Sequence, residues 1–416
     1  MPWVYRMTVL LSLFLLPVFV YVGFRLAAAI KQFAASRGWE ISKKKTRLVV
    51  FAVILWFYLL PIIFIIYYLW GNFHQLFVFK PSLQWQDYLL LFPFWWGVLT
   101  VIEIVPYFAF LDILSGLSRL SLFSTVRLRL PEVLRHRLKL WLVYIKVGLV
   151  LFFLIYVGCR TYLDTYRIRI SETSVAIENL PAEFQGLNLC LFGDIHVNRF
   201  TPARKLEKLK DFLQSSDNSL IFFTGDLVSR GIDYIDKALD VTCNPRGYLA
   251  NIACMGDHDY WAAPRKISRE MKQCGWKFLQ NNHYLISYKG RQILVTGITH
   301  IYSQRITSEE LEKILANAPV AHLKILVVHQ PMEFLIDAAA RYGYHLVLAG
   351  HTHGGQMVPH IFGFPITPSR METRYYRGIY KVGGLYVIVT NGIGQTLAPL
   401  RYHAPAEIDR ITLLKK

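Results

Sequence analysis

Cysteine is scarce in this 416-residue chain. No two of its five cysteines (Cys159, Cys190, Cys243, Cys254 and Cys274) form a Cys-x-x-Cys pair, so a zinc site built on paired thiolates is excluded. Cys190 and Cys254 fall in mostly apolar runs and read as buried strand residues. Cys243 and Cys274 would form a disulfide if their domain is exported. Internal repeats and low-complexity tracts are also absent, which excludes repeat architectures. Acidic residues are few, 28 Asp and Glu against 46 Lys and Arg, giving a formal net charge of +18.

That charge suggests nucleic acid until it is divided along the chain. Residues 1–165 hold 17 basic and 6 acidic residues, and the remainder 29 and 22. The N-terminal excess lies between long apolar stretches, so no nucleic-acid partner is expected. Hydrophobic residues make up 54% of the chain and the mean hydropathy is +0.32, too high for an ordinary soluble protein. The excess is concentrated at residues 9–24, 48–70, 88–113 and 140–157, each close to the roughly 20 residues a helix needs to cross a bilayer. Pro61, Pro93 and Pro106 lie inside these stretches, where membrane helices tolerate them. Arg6 and Ala27-Ala28-Ala29 are reminiscent of a signal peptide, but Arg25 interrupts the approach to the small residues, so an uncleaved helix is expected.

The first connection carries Lys31, Arg37, Lys43, Lys44, Lys45 and Arg47. The third carries Arg119, Arg127, Arg129, Arg135, Arg137 and Lys139. The second has Lys80. By the positive-inside rule the first and third connections are cytoplasmic, which puts the C-terminal part outside the cytoplasm after four crossings. Glu103 and Lys146 are costly in lipid, and an intramembrane Glu103–Lys146 pair is expected.

The helical unit is expected to end near residue 160, with 161–166 as a short polar connector, so the domains read as 1–160 and 161–416. Residues 167–170 and 175–178 alternate like two strands. Further strands are expected at 187–192, 220–223, 249–255, 293–295, 325–328, 346–348, 385–389 and 411–414. Leu206, Leu209, Phe212 and Leu213 repeat at helical spacing over 205–213, and Pro331 starts a helix over 332–342. The alternation indicates a layered α/β domain.

Five polar clusters follow these runs in order: Gly193-Asp194-Ile195-His196, Gly225-Asp226, Gly256-Asp257-His258-Asp259, Val328-His329-Gln330 and Gly350-His351-Thr352-His353-Gly354-Gly355. Asp194 and His196 at i and i+2 share one side of an extended segment, as do His351 and His353. Asp226 can bridge two ions through its two oxygens. Open α/β sheets place their sites at such strand ends. Three carboxylates and four imidazoles suffice to hold two divalent ions, and mixed N and O donors suit manganese, iron or zinc. Asp259 is expected to brace the His258 loop. Arg199, Arg374 and Arg401 are candidates to meet phosphate, and Phe362, Phe364, Ile366, Tyr375 and Tyr376 could form an apolar lip.

With those five ordered blocks, residues 166–416 resemble the calcineurin-like metallophosphoesterases. The later segments Tyr376 to Tyr380, Asn391-Gly392-Ile393-Gly394 and Pro399-Leu400-Arg401 are similar to a bacterial branch with transmembrane members, near the UDP-2,3-diacylglucosamine hydrolase-like ones. The four apolar stretches predict an N-terminal all-α transmembrane bundle of about four helices, and the resemblance implies that an α/β/β/α sandwich follows it. It implies that Asp194, His196 and His353 bind one ion, that Asp257, His329 and His351 bind the second, and that Asp226 bridges. A metal-bridged hydroxide would attack phosphorus, with His258 beside the leaving oxygen as general acid or electrostatic stabiliser. The family's third block usually reads Gly-Asn-His. Asp257 in its place should tighten metal binding and make the bound water less acidic.

The resulting expectation is a multi-pass protein of the inner (plasma) membrane with an extracytoplasmic phosphohydrolase or phosphodiesterase domain. Its substrate would be a phosphate ester or pyrophosphate, lipid-linked and met among membrane lipids. UDP-2,3-diacylglucosamine hydrolase-like activity is a candidate, although its nucleotide lipid belongs at the cytoplasmic face. The alternative is a non-catalytic membrane-tethered scaffold, which would be expected to have lost ligands; here every ligand position is filled.

Overall fold

The structure, a computed structural model, describes residues 3–117, 131–215, 220–229, 231–396 and 398–416. Arg119, Arg127 and Arg129 of the third basic connection lie outside the described residues. The chain divides into two units. One is Met1–Arg160 with Pro359–Ile366, and the other is Thr161–Val358 with Thr367–Lys416.

The first unit is helical: α1 (Trp3–Ser36), α2 (Lys43–Leu69), α3 (Phe92–Leu117) and α4 (Glu132–Tyr166). These four are long and apolar enough to cross a membrane. Residues 161–166 are not a connector. They form the last turns of α4, where Thr161, Asp164 and Thr165 are buried in spite of their polarity.

The charge pairing inside this unit differs from the expectation. Lys146 Nζ lies 2.8 Å from Asp112, not on Glu103. Asp112 also accepts from the Tyr21 hydroxyl at 2.5 Å and lies 2.5 Å from Arg25 Nε, so one carboxylate ties α1, α3 and α4 together. Glu103 instead accepts the backbone N–H of His360 at 2.9 Å. Asp112 and Glu103 are nine positions apart, about 13 Å along a helix at 1.5 Å per residue, so one lysine cannot serve both. His360 belongs to a two-stranded hairpin, β10 (His360–Ile361) and β11 (Phe364–Pro365), that is part of the helical unit. Its Phe362 packs edge-on against Tyr107, with centroids 5.3 Å apart.

The second unit holds two six-stranded sheets. The first, in spatial order, has β1 (Ile168–Ile177), β14 (Ala406–Lys415), β2 (Asn188–Phe192), β3 (Leu220–Phe223), β4 (Ala250–Cys254) and β5 (Lys277–Leu279). The second has β12 (Gly378–Val382), β13 (Leu385–Val389), β9 (Leu346–Ala349), β8 (Leu323–Val328), β7 (Arg291–Ile298) and β6 (Asn282–Tyr288). The two short strands expected at 167–170 and 175–178 are one continuous strand. Parallel pairing with β14 from Ile168 to Ile177 carries the polar middle, Ser171 to Ser174, through without a break.

The central strands are nearly all apolar because both faces are covered. Leu189, Leu191, Leu220, Phe222 and Ile252 point inward to meet Ile293, Val295, Ile325, Val327, Leu346 and Leu348 of the other sheet. Alternate residues Cys190, Phe192, Ile221 and Phe223 point outward under α5 (Ala203–Leu213), α6 (Ile235–Thr242) and α8 (Pro264–Gln273). On the opposite side Leu326, Val328, Val347 and Ala349 face α9 (Ser308–Ala316) and α10 (Glu333–Arg341). The period of two thus produces an α/β/β/α sandwich. Cys243 and Cys274, just past the ends of α6 and α8, are joined in a disulfide with their Cα atoms 5.0 Å apart. Cys190 and Cys254 are buried thiols.

Candidate metal centre

The ends of β2, β3, β4, β8 and β9 bring all seven expected ligands together. Asp194, His196 and His353 have donor atoms within 4.8 Å of one another, as do Asp257, His329 and His351. Asp226 stands between the two sets, its Oδ2 3.2 Å from His196 Nε2 and 3.4 Å from His329 Nε2. Within the second set, Asp257 Oδ2 is 3.3 Å from His329 Nε2 and 3.1 Å from His351 Nδ1.

The backbone makes this convergence by leaving ordinary geometry. Asp194 (φ 47°), His196 (φ 46°), Asp226 (φ 62°), His351 (φ 71°) and His353 (φ 53°) all lie in the left-handed region. Such conformations cost roughly 1–3 kcal/mol each in a residue with a side chain, and they gather where function requires a fixed direction. Neighbouring backbone holds them. Asp194 N–H donates to Gly225 C=O at 2.8 Å, and His196 N–H to Asp226 C=O at 3.0 Å. Two glycines are dictated by the crowding. A Cβ on Gly256 would sit 2.2 Å from Asp226 Oδ1, and one on Gly392 (φ 68°) 2.6 Å from Asp194 Cβ.

Asp259 braces more than its own loop. Its buried carboxylate accepts the N–H groups of Asp226 (2.8 Å), Leu227 (2.7 Å) and Gly256 (3.2 Å). Burial and the nearby Asp226 charge push it up to about 7. His258 stands beside both sets. Its N–H donates to Asp226 Oδ1 at 2.8 Å, its ring lies edge-on 4.6 Å from that of His196, and its Nδ1 contacts the Ser229 carbonyl. A carbonyl only accepts, so Nδ1 carries a hydrogen and Nε2 is the nitrogen left to act.

The donor set fits a pair of cations. Burial raises Asp194 to about 7 and lowers His196 to about 4. Burial, with His196 and Arg401 close by, holds His353 well below its ordinary value. Both imidazoles are therefore neutral, as a metal ligand must be. They face each other Nε2 to Nε2 at 3.1 Å, and His196 Nδ1 is buried without a hydrogen-bond partner among the described residues. For Asp226 and Asp257 burial works upward but is outweighed, chiefly by His329 for both, so they are held well below the usual carboxylate range. For His329 and His351 burial works downward but the carboxylates win, leaving His329 well above its ordinary value and His351 at about 9. Without an ion, protons on these rings hold the second set of carboxylates together. Divalent ions would supply that charge.

Several partners had no local signal in the sequence. Glu372, on the short helix α11 (Ser369–Glu372), lies 3.1 Å from His351 Nε2 and accepts from the Tyr302 hydroxyl at 2.6 Å. Tyr302 N–H and Gln330 Nε2 donate to the two Asp257 oxygens at 2.6 and 2.8 Å. Arg401 is not a phosphate contact. It is fully buried behind the first set, donating to the carbonyls of Gly394, His353, Ala404 and Asn391, with one nitrogen 3.3 Å from His353 Nδ1. Arg374 lies against Tyr375 and Glu333. The expected lip comes apart as well. Tyr375 is core, packed on Tyr380, while Phe364 and Ile366 are exposed in the hairpin. His283, His322 and His345 are held elsewhere by Thr296, Arg291 and Lys324.

Residues 187–355 match the Calcineurin-like phosphoesterase family. The chain is 26% identical over 263 residues to the "Uncharacterized metallophosphoesterase YkuE" of Bacillus subtilis, covering 62% of this chain and 89% of that protein. An "Uncharacterized metallophosphoesterase" of Aquifex aeolicus is 25% identical over 271 residues, 64% of this chain and 99% of that one. The "Transmembrane protein with metallophosphoesterase domain" of Danio rerio is 26% identical over 255 residues, covering 59% of this chain and 57% of that protein.

Proposed function

From a chain that carries a calcineurin-like metallophosphoesterase domain, and is thus a hydrolase of phosphoric esters, we propose a membrane-anchored binuclear enzyme that cleaves a lipid-linked phosphate ester or pyrophosphate. Membrane association itself follows from four membrane-length helices and from similarity to a relative named as a transmembrane protein. The observation that carries the binuclear reading is the convergence of seven ligands from five strand ends, five of them in the left-handed region.

In this reading Asp194, His196 and His353 hold one divalent ion, Asp257, His329 and His351 hold the other, and Asp226 is shared. Manganese, iron and zinc all suit the donors. When bound, such ions supply Lewis acidity, generating a nucleophile from water at neutral pH and neutralising phosphate oxygens. The protein's own groups do the rest. The Asp226 carboxylate is aimed by the His258 N–H and the Asp259 brace. The Ser229 carbonyl keeps hydrogen on His258 Nδ1, so the protonated ring presents Nε2–H to the leaving oxygen. Scaffold function without catalysis is disfavoured because no ligand position is lost and His258 is in place.

The catalytic unit is proposed to lie outside the cytoplasm, at the inner (plasma) membrane. The basic first connection supports this, and so does the Cys243–Cys274 disulfide, a bond that persists in oxidising compartments. The same orientation disfavours UDP-2,3-diacylglucosamine hydrolase-like activity. The decisive experiment measures metal content and metal-dependent hydrolysis of phosphodiester, phosphomonoester and nucleotide-lipid substrates by the full chain, with a compartment reporter fused to its C-terminus. Fewer than two ions per molecule at full loading would overturn the binuclear reading, and a cytoplasmic reporter signal would overturn the orientation.

A further inference from the structure

Two aromatic side chains stand at the edge of the ligand cluster without being buried, Tyr302 against the second set and Trp261 against His258. Trp261 lies three residues after His258 on α7 (Asp257–Ala262), a spacing that puts both on one helix face, and the two rings are 4.9 Å apart. Tyr302 lies 5.4 Å from the His351 ring. The planes of Trp261 and Tyr302 are parallel to within 6°, with centroids 6.4 Å apart. Trp261 is 54% exposed and Tyr302 48%.

Both rings are nevertheless fixed in orientation. The Trp261 indole N–H donates to Ser303 Oγ at 2.7 Å. Tyr302 is tied at both ends, its N–H to Asp257 and its hydroxyl to Glu372. A pair of large aromatic rings held parallel, half in water and in contact with His258 and His351, adds little to the core. Its geometry is that of a surface on which a flat π-system stacks.

We infer that Trp261 and Tyr302 form a subsite for a planar ring, a nucleobase or a comparable arene, carried by the phosphate substrate. This inference rests on the phosphoesterase reading of the same centre and, for the group beside the phosphate, puts a planar ring in place of the acyl chain of a lipid-linked substrate. A ring stacked there would leave its attached phosphate within reach of the ligand cluster, because Tyr302 and Trp261 each touch a residue of that cluster or its neighbour His258. Polar anchoring of both rings favours a flat, amphipathic group over an acyl chain, which needs an apolar groove and gains nothing from parallel faces.

The test uses the full chain in detergent, loaded with manganese, and reads binding by calorimetry, so that turnover is not required. The ligands are AMP, UMP and ribose 5-phosphate. Stacking of one base corresponds to about five- to a hundred-fold in affinity. The nucleotides should therefore bind at least about five-fold tighter than ribose 5-phosphate. Trp261→Ala should bring that ratio near parity, and Trp261→Phe should keep most of it. Equal affinities in the unaltered protein overturn the inference. So does a Trp261→Ala variant that weakens all three ligands alike, which marks a structural role. If the metal-loaded protein binds none of the phosphates, the phosphoesterase reading fails with it, and that result is distinct from equal binding. A Trp261→Ala variant that keeps its nucleotide preference overturns the subsite.

Discussion

The two halves of the proposed metal centre contain similar side chains and opposite surroundings. Behind His353 of the first set stands a guanidinium, Arg401, 3.3 Å from the ring's outer nitrogen. Behind His351 of the second stands a carboxylate, Glu372, at 3.1 Å. A carboxylate behind an imidazole raises its strength as a donor, and a cation lowers it. The first set is sealed and built from neutral rings. In the second only His351 reaches the surface, and protons on His329 and His351 balance the carboxylates that an ion would otherwise neutralise. The deeper half should therefore be the weaker metal site at alkaline pH, in spite of its burial.

The largest expected effect comes from removing what the halves share. Asp226→Ala should cost about 10³-fold or more in kcat/KM and lower the metal content at both positions, read by metal analysis alongside hydrolysis. Retention of two tightly held ions would show the halves to be independent. Next is Arg401→Met, which removes the donor from the buried carbonyls of Gly394, Ala404 and Asn391, while the His353 carbonyl keeps the Gln356 N–H. The metal-free fold should lose roughly 3 kcal/mol or more by denaturant titration, because hydrogen bonds from a charged donor are worth about 1.5–3 kcal/mol each.

Glu372→Gln should leave the denaturation midpoint unchanged within roughly 0.5 kcal/mol. It should weaken only the second ion, by about 10- to 100-fold in a competition titration. Equal weakening of both ions would erase the contrast drawn here. The pH dependence sharpens it further. His329 and His351 are held above their ordinary value, His351 at about 9, so each must release a proton when an ion binds. Affinity for the second ion should then rise with pH up to about 9, roughly tenfold per unit for each proton released. In the first set only Asp194, at about 7, still holds a proton, so affinity there should level off above about pH 7. The smallest effect is that of Asp257→Asn. Removing one negative charge should loosen the second ion modestly and move the alkaline-favouring limb of the pH–rate profile to lower pH.

What the sequence made legible was local. Asp194, His196, His351 and His353 sit beside glycines at the ends of apolar runs, so their chemistry and their strand-end position appear together within a few residues. The period of two in the strands likewise gave the layers. Partners that depend on distant segments meeting had no such mark. Glu372 is nineteen residues beyond His353 on a four-residue helix, and Tyr302 follows a strand whose own pattern says nothing of ions. Arg401 was visible as an arginine, but its burial depends on carbonyls from three segments, at His353, at Asn391 and Gly394, and at Ala404. The Glu103–Lys146 pairing failed for a related reason. The partner is decided by which acid the packed helices bring within reach, and that is Asp112, 2.8 Å from Lys146 Nζ. Residues 161–166 are polar, yet helical, because buried contacts and not composition decide where α4 stops.

The Asp112 cluster has a consequence for how the chain enters a bilayer. An aspartate or a lysine left alone in a spanning helix is costly to insert, up to about 2.5–3.5 kcal/mol at its centre and less toward its ends. Arg25 and Tyr21 emerge from the ribosome well before Asp112, and Lys146 well after it. The carboxylate can thus be neutralised by α1 as soon as α3 arrives, and the lysine of α4 then meets a partner already in place. Asp112 thus finds a cation already in place when α3 arrives, and Lys146 finds the carboxylate when α4 follows, so neither has to wait in lipid for a partner.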